Sequence, residues 1–220
     1  MSSSDFKKQL FEQFARVGKV LGSAHRLELL EMLAQRECTV EDLARLTKLP
    51  VANVSQHLQQ LRRASLVSTR KEGLYVHYSL ASPAVSALLS AVQKIAELHL
   101  SDVDKLVRTY LFSKDELEPV SRRELLERAR DGLVTVLDVR PVEEYAAGHV
   151  AGALNVPLKD LAKRLHEFKR NREIVAYCRG PFCVLAYEAV AQLRAKGFKA
   201  RRLEGGFPEW KNAELPLATR

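Results

Sequence analysis

The residues of this sequence best suited to do chemistry are two cysteines near position 180. Cys178 and Cys183 lie in the segment Tyr177-Cys178-Arg179-Gly180-Pro181-Phe182-Cys183-Val184, which joins a short apolar strand to a helix predicted over 184–195. A thiol at that junction faces backbone N–H groups and the positive end of a helix dipole, and both lower a thiol pKa and stabilise anions. The sequence therefore predicts a reactive thiolate at Cys178.

Such a thiolate can attack the outer sulfur of thiosulfate, a polysulfide or another persulfide, as in thiol–disulfide exchange. Successive backbone N–H groups can stabilise the resulting anionic persulfide without a metal. Arg179 adds positive field, and Arg140 either does the same or forms a structural ion pair with Asp138. Pro181 has no N–H, so the loop has one donor fewer than its length suggests. The predicted site residues are Cys178, Arg179, Gly180, Phe182, Cys183, Asp138 and Arg140.

Cys183 has two interpretations. It is either a small buried cysteine or a resolving thiol that attacks a persulfide on Cys178, expels sulfide and leaves a disulfide. In a well-formed loop the two sulfurs need not face each other. We therefore expect the disulfide to require a rearrangement of the loop, because bridging needs Cα atoms within about 7 Å.

A second group of candidates lies on a helix predicted from about Val51 to Ala64, after a turn at Thr47–Pro50. Its apolar face follows spacings of three and four and consists of Val51, Val54, Leu58 and Leu61. The other face is rich in Asn and Gln and almost free of carboxylates, which suits base edges in a DNA major groove. A helical protein–protein module with a solvated polar face is the alternative. The candidates for DNA contact on this helix are Asn53, Ser55, Gln56, His57, Gln59, Gln60, Arg62 and Arg63.

The elements that position these residues differ between the two halves of the chain. Residues 5–112 are predicted to be mostly helical with one hairpin near 66–80, whose turn contains Gly73 and whose tip carries the phosphate-binding candidates Arg70 and Lys71. Residues 118–218 alternate strands with helices, which indicates an α/β domain with a mainly parallel sheet. The predicted strands are Leu133–Val139, Ala153–Asn155, Ile174–Tyr177 and Ala200–Leu203. We expect domains at 1–113 and 120–220, with a linker at 114–119.

Composition says more about the cellular compartment of the protein than about the class of its binding partner. The net charge of +8 is spread evenly over both halves, so it is only a weak indication of an anionic partner. The N-terminus has no apolar run typical of a signal peptide, and no stretch is long and apolar enough to span a membrane. Three cysteines in such a chain favour reduced thiols in the cytoplasm.

The first half resembles the ArsR family of bacterial winged-helix repressors. The resemblance covers roughly 15–100 and rests on 24–30, 39–44, 54–58, 61–67 and the strand ending at Leu80. It implies a homodimer whose outer helices, about 5–20 and 83–111, form the interface, and a two-fold symmetric operator.

That family's metal sensors often place Cys-x-Cys where this chain has Thr39 and Glu41, and the lone Cys38 falls one residue earlier. Another metal site of the family corresponds to the last helix, where the candidates are Glu97, His99 and Asp102. A metal or arsenic sensor is therefore the less favoured alternative. We expect no metal and no cofactor.

The second half resembles the rhodanese family of sulfurtransferases in four blocks, 137–145, 148–157, 177–180 and 203–210. The resemblance implies that Cys178 is a nucleophile that carries a persulfide. Related phosphatases have an arginine six positions after the cysteine, where this chain has Val184. The shorter loop favours sulfur over phosphate.

Together these features predict a cytoplasmic, homodimeric DNA-binding regulator. Its rhodanese-like domain would sense reactive sulfur donors such as thiosulfate or polysulfide, or redox state, through a persulfide or disulfide at Cys178. One alternative is a sulfurtransferase with an accessory DNA-binding domain. Another is a catalytically silent rhodanese domain that serves as a scaffold, against which the intact Cys178 argues.

Overall fold

The structure is a computed structural model that describes residues 2–112, 114 and 117–219, with Phe112 described in its backbone only. The chain divides into two compact units, Met1–Leu89 and Ser90–Arg220. Three residues at or next to the predicted linker, Ser113, Asp115 and Glu116, lie outside the described residues. The boundaries 1–113, 114–119 and 120–220 therefore stay a prediction. Across the described part of the chain, no helix is long and apolar enough to cross a membrane.

The first unit is mainly helical with one hairpin, which confirms the predicted class. Its helices are α1 (Ser3–Leu21), α2 (Ala24–Gln35), α3 (Val40–Thr47), α4 (Val51–Arg63) and α5 (Pro83–His99), whose last ten residues belong to the second unit. Its strands are β1 (Val67–Glu72) and β2 (Tyr75–Leu80), which pair antiparallel. Thr39 caps α3 by accepting a hydrogen bond from the backbone N–H of Asp42, and Lys48 ends that helix in the left-handed conformation, with φ 58°.

Four helices and β1 enclose the core of the first unit, which includes Leu29, Leu30, Leu43, Val54, Leu58 and Leu61. Val51, predicted on the apolar face of α4, is instead 49% exposed. It is the first residue of α4 and lies nearly one turn before Val54, where the buried face of this helix begins.

The outer helices differ in how closely they follow the sequence. The helix predicted at 5–20 is α1, whereas the one predicted at 83–111 is broken. After α5 come α6 (Ser101–Leu106) and a π-helical segment (Val107–Phe112). Leu100 between α5 and α6 has an extended backbone, with φ −103° and ψ 107°. No glycine or proline marks this break, although Ser101 and Asp102 directly after it are residue types that favour the start of a helix.

The second unit contains a four-stranded sheet in the order β5-β3-β6-β7 with every pair parallel, which confirms the α/β prediction. The strands are β3 (Val134–Asp138), β5 (Leu154–Asn155), β6 (Glu173–Tyr177) and β7 (Ala200–Arg202). The helices of this part are α7 (Arg122–Arg130), α8 (Val142–Ala147), α9 (Leu158–Leu161), α10 (Val184–Ala195) and α11 (Phe207–Asn212), with a 3₁₀ turn at Leu165–Glu167. A separate antiparallel pair joins β4 (His149–Val150) to β8 (Leu217–Ala218).

Candidate functional site

The reactive loop begins where β6 ends and stops at the first residue of α10. Cys178 and Cys183 form a disulfide across this loop, with their Cα atoms 6.1 Å apart, and Cys178 is completely buried. The backbone N–H of Cys183 donates to Gly180 O at 3.2 Å, so the chain turns back and brings residue 183 beside residue 178. In the disulfide form the loop therefore holds the two cysteines within bridging distance, and a rearrangement between the reduced and the bridged loop stays a prediction.

The turn after β7 packs directly against this loop. The backbone N–H of Phe207 donates to Cys178 O at 2.9 Å. A Cβ atom at Gly206 would lie 2.6 Å from Cys178 O and would also collide with the backbone of Gly180, so only glycine fits at position 206. Neither Gly206 nor Phe207 was among the predicted site residues, although both lie in one of the blocks that resemble the rhodanese family.

Arg179, predicted to supply positive field, is committed to a carboxylate. Its Nε donates to Glu144 Oε2 at 3.0 Å and its Nη2 approaches Glu144 Oε1 at 2.5 Å. The Glu144 side chain is only 4% exposed. The charge of Arg179 is thus largely balanced by Glu144 of α8. Glu144 was not among the predicted site residues, although it stands next to Tyr145 in the first rhodanese-like block.

Asp138 and Arg140 form a completely buried ion pair, the alternative left open from sequence. Arg140 Nη2 donates to Asp138 Oδ2 at 2.6 Å and to Gly148 O at 2.8 Å. The Tyr177 hydroxyl donates to Asp138 Oδ2 at 2.5 Å, and burial, reinforced by the Asp138 charge, raises the pKa of Tyr177. The Arg140 guanidinium stacks 4.1 Å from the centre of the Phe207 ring. This pair therefore supports the turn at Phe207, which in turn holds Cys178 O.

A cavity of about 470 Å³ opens beside the loop, within the second unit, and Pro181 and Phe182 line it. Arg202 and Tyr187 stand on its wall, with the Arg202 guanidinium 3.8 Å from the centre of the Tyr187 ring. The Tyr187 hydroxyl donates to Pro181 O at 3.3 Å. The middle of the loop is therefore held by Tyr187 of α10, whose ring packs against Arg202 of β7.

The structure divides the polar residues of α4 into two groups. The exposed residues are Asn53, Gln56, Gln59, Arg62 and Arg63, while Ser55 is half-buried. Gln60 Oε1 instead accepts a hydrogen bond from Arg26 Nη1 at 2.7 Å. His57 Nδ1 is buried with no hydrogen-bond partner among the described residues, and burial, reinforced by Arg26 and His25, lowers the pKa of His57. Gln60 and His57 therefore point toward neighbouring helices of the first unit. The polar surface that α4 exposes to solvent is narrower than the predicted DNA-contacting surface.

The hairpin also differs from its prediction at the tip. Arg70 pairs across the strands with His77, and the turn is formed by Gly73 and Leu74, so Arg70 lies back from the tip. Its guanidinium contacts Glu37 at 2.9 Å and Glu72 at 2.7 Å. Lys71 is exposed and makes no ion pair within the described ranges, so of the two predicted phosphate-binding residues it has the freer charge.

The residues considered for metal binding do not converge. Glu97 pairs with Lys94 at 2.9 Å, and Cys38 is buried with its Sγ donating to Arg36 O at 3.8 Å. In the part of the chain that the structure describes, no three His, Cys, Asp or Glu side chains are grouped so that they could hold a metal ion.

Comparison with known proteins matches two family models to this chain. The model described as "Bacterial regulatory protein, arsR family" matches residues 23–69, and the model described as "Rhodanese-like domain" matches residues 121–213. The HTH-type transcriptional regulator Rv0324 of Mycobacterium tuberculosis is 44% identical over 214 residues, which are 97% of this chain and 94% of that protein.

Two further similarities each cover about half of the chain. A protein named sulfurtransferase from Allochromatium vinosum is 30% identical over 104 residues, which are 47% of this chain and 94% of that protein. The solution structure of a homodimeric winged helix-turn-helix DNA-binding domain from Mycobacterium bovis is 40% identical, covering 46% of this chain and 93% of that one with a TM-score of 0.43.

Proposed function

The chain belongs to the ArsR family of HTH-type transcriptional regulators and carries a rhodanese-like domain, and from this premise we propose that the second domain senses reactive sulfur through Cys178. Oxidation of the Cys178–Cys183 pair then changes the affinity of the winged helix for its operator. The observation that carries the proposal is the pairing of these two cysteines inside the reactive loop.

The chemistry proceeds in two balanced steps. The Cys178 thiolate attacks a terminal sulfur of a polysulfide, forming one S–S bond as another breaks, and releases a polysulfide one sulfur atom shorter. The Cys183 thiol then attacks the inner sulfur of the Cys178 persulfide, which breaks the S–S bond and releases hydrosulfide. The two cysteine sulfurs are oxidised to a disulfide, and the transferred sulfur atom is reduced to sulfide.

The position of Cys183 favours a sensor over an enzyme. A sulfurtransferase must keep its persulfide until a separate acceptor arrives, whereas a second thiol at bridging distance consumes the persulfide within the same loop. Cys178 is also completely buried in the disulfide form, so no acceptor reaches it in that state. Resetting the pair requires a cellular thiol as reductant.

The DNA-binding half is proposed to act as a homodimer on a two-fold symmetric operator in the cytoplasm. No residue of the 19-residue helix α1 is buried, yet it carries Phe6, Leu10, Phe11 and Phe14, each between 37% and 57% exposed. An apolar stripe of this kind on a long helix is a typical interaction surface. A second copy of α1 would cover it and place the two α4 helices in successive major grooves.

A second candidate function is sulfur transfer to a separate acceptor, with DNA binding as an accessory property. The similarity to the Allochromatium vinosum protein, which is named a sulfurtransferase, favours it. In that case polysulfide or thiosulfate would be turned over many times per protein molecule.

The test combines binding and turnover on the full-length protein. An operator is first selected from a random duplex pool with reduced protein, and its affinity is then measured by fluorescence anisotropy before and after treatment with tetrasulfide. We expect an affinity change of about tenfold, equivalent to about 1.4 kcal/mol, together with less than one equivalent of sulfur transferred to cyanide per protein molecule when no thiol reductant is present. Rapid turnover with unchanged operator affinity would establish the sulfurtransferase instead.

A further inference from the structure

The carboxylate of Glu209 in α11 joins two backbone segments of the second unit that are distant in sequence. Its Oε2 accepts a hydrogen bond from the backbone N–H of Gly206 at 2.8 Å, which caps α11. Its Oε1 accepts a hydrogen bond from the hydroxyl of Ser90 at 3.0 Å. Ser90 is the first residue of that unit and belongs to α5.

One end of this connection is the reactive loop. The Gly206 backbone is packed so closely against Cys178 O and Gly180 that a single Cβ atom does not fit between them. Close-packed backbone of this kind transmits displacement instead of absorbing it. A change in the path of the loop between Cys178 and Cys183 therefore moves Gly206, and with it the oxygen atoms of Glu209.

The other end is a helix rooted in the core of the winged-helix unit. The residue before Ser90 is Leu89, which is 7% exposed and packs in that core together with Val85, 6% exposed. Because an α-helix is a stiff element, a force on Ser90 acts on the buried turn that immediately precedes it.

We propose that Glu209 is a positioning residue that couples the sulfur state of the Cys178–Cys183 loop to α5 through its hydrogen bond with Ser90. The inference rests on the proposed sensing function and adds the contacts by which a change in the loop reaches α5. Coupling requires that one contact differs in free energy between the two states. A tenfold change in operator affinity corresponds to about 1.4 kcal/mol, which is within the range of a single hydrogen bond to a carboxylate.

Ser90→Ala tests the route because it removes only the contact with α5 and leaves the cap of α11 in place. In the full-length protein we expect operator affinity in the reduced state within about twofold of wild type, and unchanged formation of the Cys178–Cys183 disulfide on tetrasulfide treatment, measured by mass spectrometry. The tetrasulfide-induced change in operator affinity should fall from about tenfold to less than about twofold.

Two further variants make the test specific. Ser90→Thr keeps the hydroxyl, and the cavity of about 470 Å³ that Ser90 lines has room for the added methyl group, so the response should return. Ser101→Ala is the matched control, since Ser101 is exposed and makes no side-chain hydrogen bond within the described residues. It should respond like wild type.

Two outcomes separate this route from the sensing function itself. If wild type and Ser90→Ala respond equally to tetrasulfide, the coupling role of Glu209 is overturned and the sensing function stands. A wild-type protein whose operator affinity ignores tetrasulfide overturns the sensing function, and the proposed route falls with it.

Discussion

The backbone N–H of Phe207 donates to the carbonyl oxygen of Cys178 at 2.9 Å, which joins the turn after β7 to the reactive loop after β6. Gly206 completes the junction because its missing side chain lets the two backbones touch. The geometry of the reactive thiol thus depends on residues nearly 30 positions later in the chain.

Gly206→Ala should destabilise the second unit and reduce the tetrasulfide-driven formation of the Cys178–Cys183 disulfide. The added Cβ would lie 2.6 Å from Cys178 O, and overpacking of this kind typically costs about 1–3 kcal/mol. Urea unfolding measures the first effect, and mass spectrometry after tetrasulfide treatment measures the second. Gly18→Ala in α1 is the control, since a Cβ there meets nothing within 4 Å and the residue lies outside the reactive loop. Equal effects of both variants would show that the packing at Gly206 is not special.

Cys183→Ser should trap the persulfide on Cys178. Without the second thiol no disulfide forms, so tetrasulfide should leave a stable mass increase of about 32 Da per sulfur atom. The operator response should be mostly lost, because the loop is not bridged. Cys38→Ser, which alters only the buried cysteine of the first unit, should behave as wild type in both measurements. A full operator response in Cys183→Ser would make the persulfide itself the signal.

Gln56→Ala and Gln60→Ala should have different effects although both residues lie on α4. Gln56 is exposed, so its loss should cost about 1–3 kcal/mol at the selected operator and much less on random DNA. Gln60 accepts a hydrogen bond from Arg26, so its loss should lower the free energy of unfolding by about 1 kcal/mol and leave base discrimination nearly unchanged. Anisotropy on both DNAs and urea unfolding separate the two, and a reversed assignment would mean that α4 presents its other face to DNA.

Lys71→Ala should reduce the salt dependence of DNA binding more than Arg70→Ala. The exposed Lys71 has no ion pair within the described ranges, so its removal should lower the slope of log K against log salt by roughly one unit per protomer, or about two for the bound homodimer. The charge of Arg70 is shared with Glu37 and Glu72, so its removal should change the slope less. Affinities measured at four salt concentrations test this, and a larger slope change for Arg70→Ala contradicts the interpretation of the hairpin.

The first unit should lose stability as the pH falls, and His57 should contribute to the loss. Burial lowers the pKa of His57, and Arg26 and His25 lower it further. The unfolded chain therefore binds its proton at a higher pH than the folded one, so stability is present above the ordinary histidine pKa and is lost as the pH falls through it. His57→Gln should flatten this dependence in urea unfolding at pH 7, 6 and 5. His166→Gln, at an exposed position of the second unit, should leave it unchanged.

Local pattern was sufficient for most elements of this chain, although it did not predict the short pair β4 and β8. The alternation of apolar residues and the turn signals predicted the helical half, the hairpin, the parallel sheet and the loop that holds Cys178, with strand boundaries within about two residues. These features depend on residues close together in sequence, whose spacing decides which face of a helix or strand is apolar. The break at Leu100 escaped prediction because no glycine or proline stands there, and the cap-forming residue types of Ser101 and Asp102 also occur inside helices.

The sequence by itself determined that a cysteine directly follows β6 in the loop before α10 and that the polar face of α4 is almost free of carboxylates. Only the tertiary structure decided which neighbours act on them. Glu144 forms an ion pair with Arg179, and Glu37 forms one with Arg70. Gly206 packs against Cys178 O, and Arg26 donates a hydrogen bond to Gln60. Each of these contacts joins residues more than 25 positions apart, and such contacts are set by how the elements pack rather than by local spacing. For this reason the candidate residues of the site could be predicted from the sequence, whereas its ion pairs and its hydrogen bond to α5 could not.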